Sequence, residues 1–170
     1  MGEINIQEGN HVGLPKGTKN FTDAIDIRLA CVEDGLENMG FRKFAAYVKQ
    51  IHSKTKVAYV PTGNWRGYIK LMSEKGAGAL TEKDTHKVAQ FMAEGDIAAF
   101  SSMTQYSTTV QEIIANIRLI NPNTYIVWGG IHAIIHPEDA IKYADAVCTG
   151  EGEFAFETFL ELFKDKKDYT

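Results

Sequence analysis

Asp96-Ile-Ala-Ala-Phe-Ser101, then Ser107 to Ile120, then Asn121-Pro-Asn123, then Thr124-Tyr-Ile-Val-Trp128, reads as strand, helix, stop and strand. The two flanking runs are short and almost continuously apolar, as in a strand buried on both faces. The segment between them places Val110, Ile113, Ile114, Ile117 and Ile120 at helical spacing, and Asn-Pro-Asn ends it. A strand, an amphipathic helix and a second strand, joined by short connections, form a βαβ unit with parallel strands.

The same alternation continues outward. Asp26 to Val32 is a strand, followed by a helical pattern from Leu36 to Ile51 through Met39, Phe41, Phe44, Ala45, Val48 and Ile51. Thr55 to Val60 is a second strand, stopped by Pro61. Thr62 to Gly78, with four glycines, is a long connection holding one helical turn around Tyr68 to Met72. Thr81-Glu-Lys-Asp84 has the form of a capping box and opens a helix ending at Ala93. Beyond the central unit, Pro137 opens a short helix, Ala144 to Cys148 is a fifth strand, and Phe154 to Lys164 is the last helix. The pattern predicts a doubly wound, five-stranded parallel sheet in the flavodoxin-like order 2-1-3-4-5, with helices on both faces. Residues 1–22 read as a loose leader or cloning remnant, and residues 23–170 as one Rossmann-like domain.

The 170 residues carry a formal charge of -4 with both signs scattered, which offers no basic face to nucleic acid or an anionic membrane. Every apolar run is strand-length, too short to cross a bilayer, and the N-terminus has no signal-peptide core. Cys31 and Cys148 form no CxxC pair or zinc knuckle. Each lies in an apolar run, as expected of buried thiols in a cytoplasmic protein.

Ligands of such sheets bind beyond the carboxyl ends of the strands, at the switch point between the first and third. Those ends read Glu33-Asp34-Gly35-Leu36, Pro61-Thr62-Gly63, Ser101-Ser102-Met103-Thr104, Gly129-Gly130-Ile131-His132 and Thr149-Gly150-Glu151-Gly152-Glu153. Glycines and small hydroxyl residues there allow close approach by a flat ligand. Several chemistries of this fold are excluded. A phosphoacceptor domain needs an Asp and a Lys where Ser101 and Thr149 stand. A flavin phosphate loop would need Ser, Thr and Gly where Glu33 and Asp34 stand. No G-x-x-x-x-G-K-[ST] occurs, Gly150-Glu-Gly152 lacks a third glycine, and no G-x-S-x-G surrounds Ser101 or Ser102.

Ala99-Phe-Ser101-Ser-Met-Thr104, Ile126-Val-Trp-Gly129-Gly-Ile-His132, His136-Pro-Glu138 and Gly150-Glu-Gly-Glu153, in this order, resemble the cobalamin-binding domain of radical SAM enzymes. That family includes methyltransferases and anaerobic magnesium-protoporphyrin monomethyl ester oxidative cyclases. The likeness is close over residues 96–163 and only topological over residues 26–72. It implies cobalamin as cofactor, with the dimethylbenzimidazole tail in the switch-point crevice. Ser101, Ser102 and Thr104 would line that crevice with hydroxyls, and Gly129 and Gly130 would leave room for the nucleotide. Gly150, Glu151 and Gly152 would meet the ribose or phosphate edge, with Leu36 or Met39 as apolar contacts beneath the corrin. His132 is either a structural residue at a helix start or a cofactor contact. Glu151 and Glu153 serve either a helix N-terminus or a ribose hydroxyl. Trp65 and Arg66 either anchor their loop or touch the corrin.

The sequence departs from two patterns. The D-x-H-x-x-G loop of methionine-synthase-type cobalamin domains has Leu36 in place of its histidine, with Gly40 one place late. The resemblance therefore implies cobalt bound without a protein histidine and no metal ligand in this chain. No CxxxCxxC is present, so the [4Fe-4S] cluster and S-adenosylmethionine would belong to a barrel domain outside this chain, which is not catalytic alone. A domain that lost the cofactor and serves as a scaffold or docking module, and a free-standing small-molecule sensor, are the competing readings.

Overall fold

Every residue of Ile27–Val32 (β1) is buried, which a strand achieves only with neighbours on both edges and cover on both faces. The computed structural model describes residues 25–33, 38–62 and 80–164 and shows both. The expected leader, the helical turn at Tyr68 to Met72, Trp65, Arg66 and Leu36 lie outside the described residues. Thr55–Val60 (β2) and Ile97–Ser102 (β3) flank β1 in parallel, with Leu29 opposite Val57 on one side and Ala99 on the other. Tyr125–Gly129 (β4) follows β3, and Ala146–Val147 (β5) closes the edge. The order is β2-β1-β3-β4-β5, the flavodoxin-like arrangement that the alternating pattern predicts.

Each face has its own core, because successive strand residues point to opposite sides. Met39–Ile51 (α1) and Gly152–Lys164 (α6) cover one face, where Ile27, Leu29, Ile97, Ala99 and Val127 meet Phe41, Val48, Phe156 and Leu160. Glu82–Ala93 (α2) and Ser107–Ile120 (α3) cover the other, packing Met92, Val110, Ile113 and Ile117 onto Ala98, Phe100, Ile126 and Trp128. The capping box is present: Thr81 accepts from the Asp84 amide while the Asp84 carboxylate reaches back to Thr81.

Several element boundaries differ from the sequence expectation, and β1, β3 and β4 each begin one residue later than expected. α1 begins at Met39 rather than Leu36, because the Asn38 side chain accepts a hydrogen bond from the Phe41 amide at 2.8 Å and caps it there. Ile131–Ile135 (α4) forms a short helix that the sequence reading missed, ahead of the expected one at Pro137–Ala140 (α5). α6 begins two residues earlier than expected. β5 is shorter than the run Ala144 to Cys148. Ala144 still belongs to the helical turn below it, and the Asp145 carboxylate receives the Ile126 amide at 2.7 Å and Arg118 at 2.7 Å.

The amino edge of the sheet is closed by charge. Arg28, buried at 3% exposure, binds Asp26 through Nε and Glu94 through a terminal nitrogen at 3.1 Å, and its guanidinium lies 4.8 Å from the centre of the Phe91 ring. Gly95 admits this arrangement, since a Cβ there would come within 2.6 Å of Arg28 Cγ.

Leu160 is fully buried where α6 meets the sheet. Leu160→Ala should cost about 3 kcal/mol by urea unfolding, the usual range for an emptied aliphatic core position.

Candidate functional site

Ser101 and Gly129 lie side by side in the β3–β4 register and on the α1/α6 face. Around them a cavity of about 790 Å³ opens at the carboxyl edge of the sheet, between α1 and α6. Its volume is that of a typical small-molecule site. Phe44, Phe156 and Phe159 form its apolar wall, and Phe44 meets Phe156 edge to face with centroids 5.3 Å apart. Phe156 and Phe159 serve both core and cavity. Six expected contact residues line this space: Ser101, Gly129, Gly130, Gly150, Glu151 and Gly152.

The glycines have different physical reasons. Gly130 holds φ at +87°, and a Cβ on it would fall 2.7 Å from Ser101 Oγ and 2.9 Å from the Ser102 nitrogen. Only glycine fits there. A Cβ at Gly129 would make ordinary contact with Cys148, and one at Gly150 would meet nothing within 4 Å. Those two glycines therefore leave space that the fold itself does not require.

The remaining expected residues lie elsewhere. Ser102, one residue beyond Ser101, faces the α2/α3 side, where it is fully buried and accepts the Trp128 indole N–H at 3.1 Å. Thr104 is exposed at the start of a 3-10 turn and does not line the cavity. Met39 is 73% exposed and also outside it. His132 is buried against Trp128 with centroids 4.9 Å apart, on the face opposite the cavity. Burial pushes the His132 imidazole below its ordinary range, against the pull of Asp139, whose carboxylate stands 3.4 Å from Nε2.

Other lining positions escaped the sequence reading, among them Glu33, Lys43 and Cys148. Glu33 follows β1 and lines the cavity, and Asn38 donates to its Oε1 at 2.6 Å. Burial raises the Glu33 carboxyl above its ordinary value, opposed by that hydrogen bond. Lys43 lines the wall and pairs with Glu153 at 3.0 Å, which raises the Lys43 ammonium. Cys148, expected to be buried, is half-buried and lines the cavity. Cys31 is buried as expected, its thiol pushed up to about 12 by desolvation and then by the charge of Glu33.

Residues 23–160 match the family model of the B12 binding domain, most of the chain. The chain belongs to the B12 binding domain family. No curated protein matches it in sequence. Among solved structures it is similar to the TrkA-N domain of the inner membrane protein ybaL from Escherichia coli. That match is 22% identical with a TM-score of 0.41, over 83% of this chain and 98% of that one. A likeness that distant says nothing of function. Cobalamin is thus the ligand to test against the cavity, and the residues fit it. Two glycines leave room where a Cβ would fit, a hydroxyl stands at the end of β3, and an aromatic wall faces them. No helix among the described residues is long and apolar enough to cross a membrane, and no group of three metal-ligating side chains occurs among them.

Two predictions concern the frame of this site. Gly130→Ala should destabilise the fold by about 2 kcal/mol or more, since it adds a left-handed alanine to a steric clash; denaturant unfolding measures it. For His132 the folded state favours the neutral ring, so its contribution to stability is complete above the unfolded value near 6.5 and is lost as pH falls through the lower folded value. His132→Phe keeps the stacked ring without the titration. Its stability relative to wild type should rise between about pH 7.5 and about pH 5 in paired urea titrations.

Proposed function

We propose that this B12 binding domain serves a cobalamin-dependent radical SAM enzyme, a methyltransferase or an oxidative cyclase, and holds the corrin over the carboxyl ends of β1, β3 and β4 with the nucleotide tail in the cavity. The observation that carries the reading is the pair Gly129 and Gly150, whose missing side chains leave space the fold does not need, in one cavity with Ser101. Ser101 offers a hydroxyl to the tail, and Gly129 and Gly130 keep the floor flat beside it. Gly150, Glu151 and Gly152 meet the ribose and phosphate edge, and Lys43 supplies the cation among the lining residues for the phosphodiester. Phe44, Phe156 and Phe159 pack against the planar base and exclude water. Ser102 and His132 act from behind the sheet, fixing Trp128 under Gly129 and Gly130.

Cobalamin supplies a cobalt centre able to carry a methyl group or pass electrons, and that chemistry belongs to the cofactor. No histidine lies between Val32 and Ile51, so this stretch after β1 offers the cobalt no imidazole. With two separated cysteines, the chain has no set of thiolates for an iron–sulfur cluster. The cluster and S-adenosylmethionine then belong to a separate barrel, with the corrin presented between the two.

Incubation with hydroxocobalamin followed by desalting tests the reading by visible absorption. Wild type should retain corrin bands. Gly129→Leu, whose Cβ the fold accommodates, should fill the cavity and lose them while keeping its circular dichroism. Absence of corrin from folded wild type would favour the scaffold alternative. A second measurement is alkylation by iodoacetamide followed by mass spectrometry. Cys148 should be modified and Cys31 spared, and cyanocobalamin should protect Cys148.

A further inference from the structure

Glu33 follows β1 at the mouth of the cavity, and one of its two oxygens is already committed. Asn38 fixes it from a position that is itself fixed. The Asn38 Oδ1 accepts the Phe41 amide at 2.8 Å as the cap of α1, which leaves its Nδ2 as the donor to Glu33 Oε1 at 2.6 Å. The direction of this amide follows from its partners, since a backbone N–H can only be met by the oxygen. Among the described residues only Asn38 bonds the carboxylate, so Oε2 is left for the cavity that Glu33 lines.

A half-buried carboxylate with one oxygen held and one open is a preorganised acceptor. Oε2 is open to solvent in the absence of a ligand, and a donor carried by the ligand would take the place of water on it. The other charges of the lining are Glu151, Glu153 and Lys43, and Lys43 is paired with Glu153. A ligand edge reaching the end of β1 therefore meets a carboxylate acceptor. A neutral N–H donor is favoured there and a carboxylate is repelled. The corrin ring of cobalamin is edged by neutral acetamide and propionamide groups, which are donors of this kind.

We propose that Glu33 is a specificity-determining residue that accepts a hydrogen bond from a peripheral carboxamide N–H of the corrin and rejects corrinoids bearing a carboxylate at that position. This rests on the cobalamin reading above. Glu33→Gln is an informative change because Asn38 would still donate to its side-chain oxygen. The group turned to the ligand would then be an amide N–H, a donor in place of an acceptor. The preference between amide and acid should disappear or reverse.

The test is equilibrium binding of cyanocobalamin and of each of its monocarboxylic acid derivatives to wild type and to Glu33→Gln. Circular dichroism and thermal unfolding establish that both are folded. Wild type should bind cobalamin about tenfold or more tightly than at least one of the acids, the size expected of one charge-assisted hydrogen bond, and Glu33→Gln should lose that discrimination. Wild type that binds cobalamin and all the acids alike would overturn the role of Glu33 and leave the cobalamin site standing. Discrimination retained by folded Glu33→Gln would do the same. Folded wild type that binds no corrinoid would overturn both. The wild-type series decides the matter without any variant, and Glu33→Asp, which withdraws the charge by one methylene, should weaken the discrimination.

Discussion

The pleat of β3 hands consecutive residues to opposite faces of the sheet, and the rest of the site depends on that alternation. Ala99 and Ser101 turn to α1 and α6, whereas Phe100 and Ser102 turn to α2 and α3. Two adjacent serines thus acquire different tasks. Ser101 borders the open cavity, and Ser102 is sealed into the core as acceptor for the Trp128 indole. β4, in register beside β3, repeats the division: Trp128 goes to the core and Gly129 to the cavity. Gly130 then turns the chain at positive φ so closely over Ser101 and Ser102 that no side chain could stand there. A one-residue slip between β3 and β4 would put the indole into the cavity and the glycine into the core.

That alternation also explains what could be read in advance. Apolar runs and helical spacing are properties of local sequence, so the five strands, the capping box at Thr81 and the helix Ser107–Ile120 were legible, and with them the sheet order. Which face a strand-end residue takes depends on where the last ladder pair falls. β3 runs one residue further than its apolar run suggests, because serine is as acceptable at a strand end as in a turn. Counting in twos from Ala99 would have separated Ser101 from Ser102 and placed Gly129 with the former. Glu33 and Lys43 carried no such signal. Each owes its place to a partner on another segment, Asn38 or Glu153, and tertiary pairs are invisible to local pattern. Phe156 and Phe159 escaped for a related reason: helical periodicity marks an apolar face without telling whether a neighbouring element fills it.

The two edges of the sheet are built on opposite rules. At the amino edge the buried guanidinium of Arg28 is met by Asp26, Glu94, the Phe91 carbonyl and the Phe91 ring, and Thr124 ties β4 to the same corner through the carbonyls of Ala93 and Gly95. Charge buried this way is tolerable only when each group is answered, and removal of one partner would strand the others. At the carboxyl edge the chain spends glycine and hydroxyl residues where larger side chains would pack, and leaves Glu33 half answered. Packing contact is given up at Gly129, where a side chain would meet Cys148, and space is left open at Gly150. A fold that answers its buried charge at one end and leaves space at the other opens where parallel sheets bind ligands. The cavity is therefore better understood as the matching half of a contact than as a packing defect. Its aromatic wall, glycine floor and the acceptor fixed by Asn38 suit the proposed ligand, with a flat base at one end and a neutral, donor-bearing rim at the other.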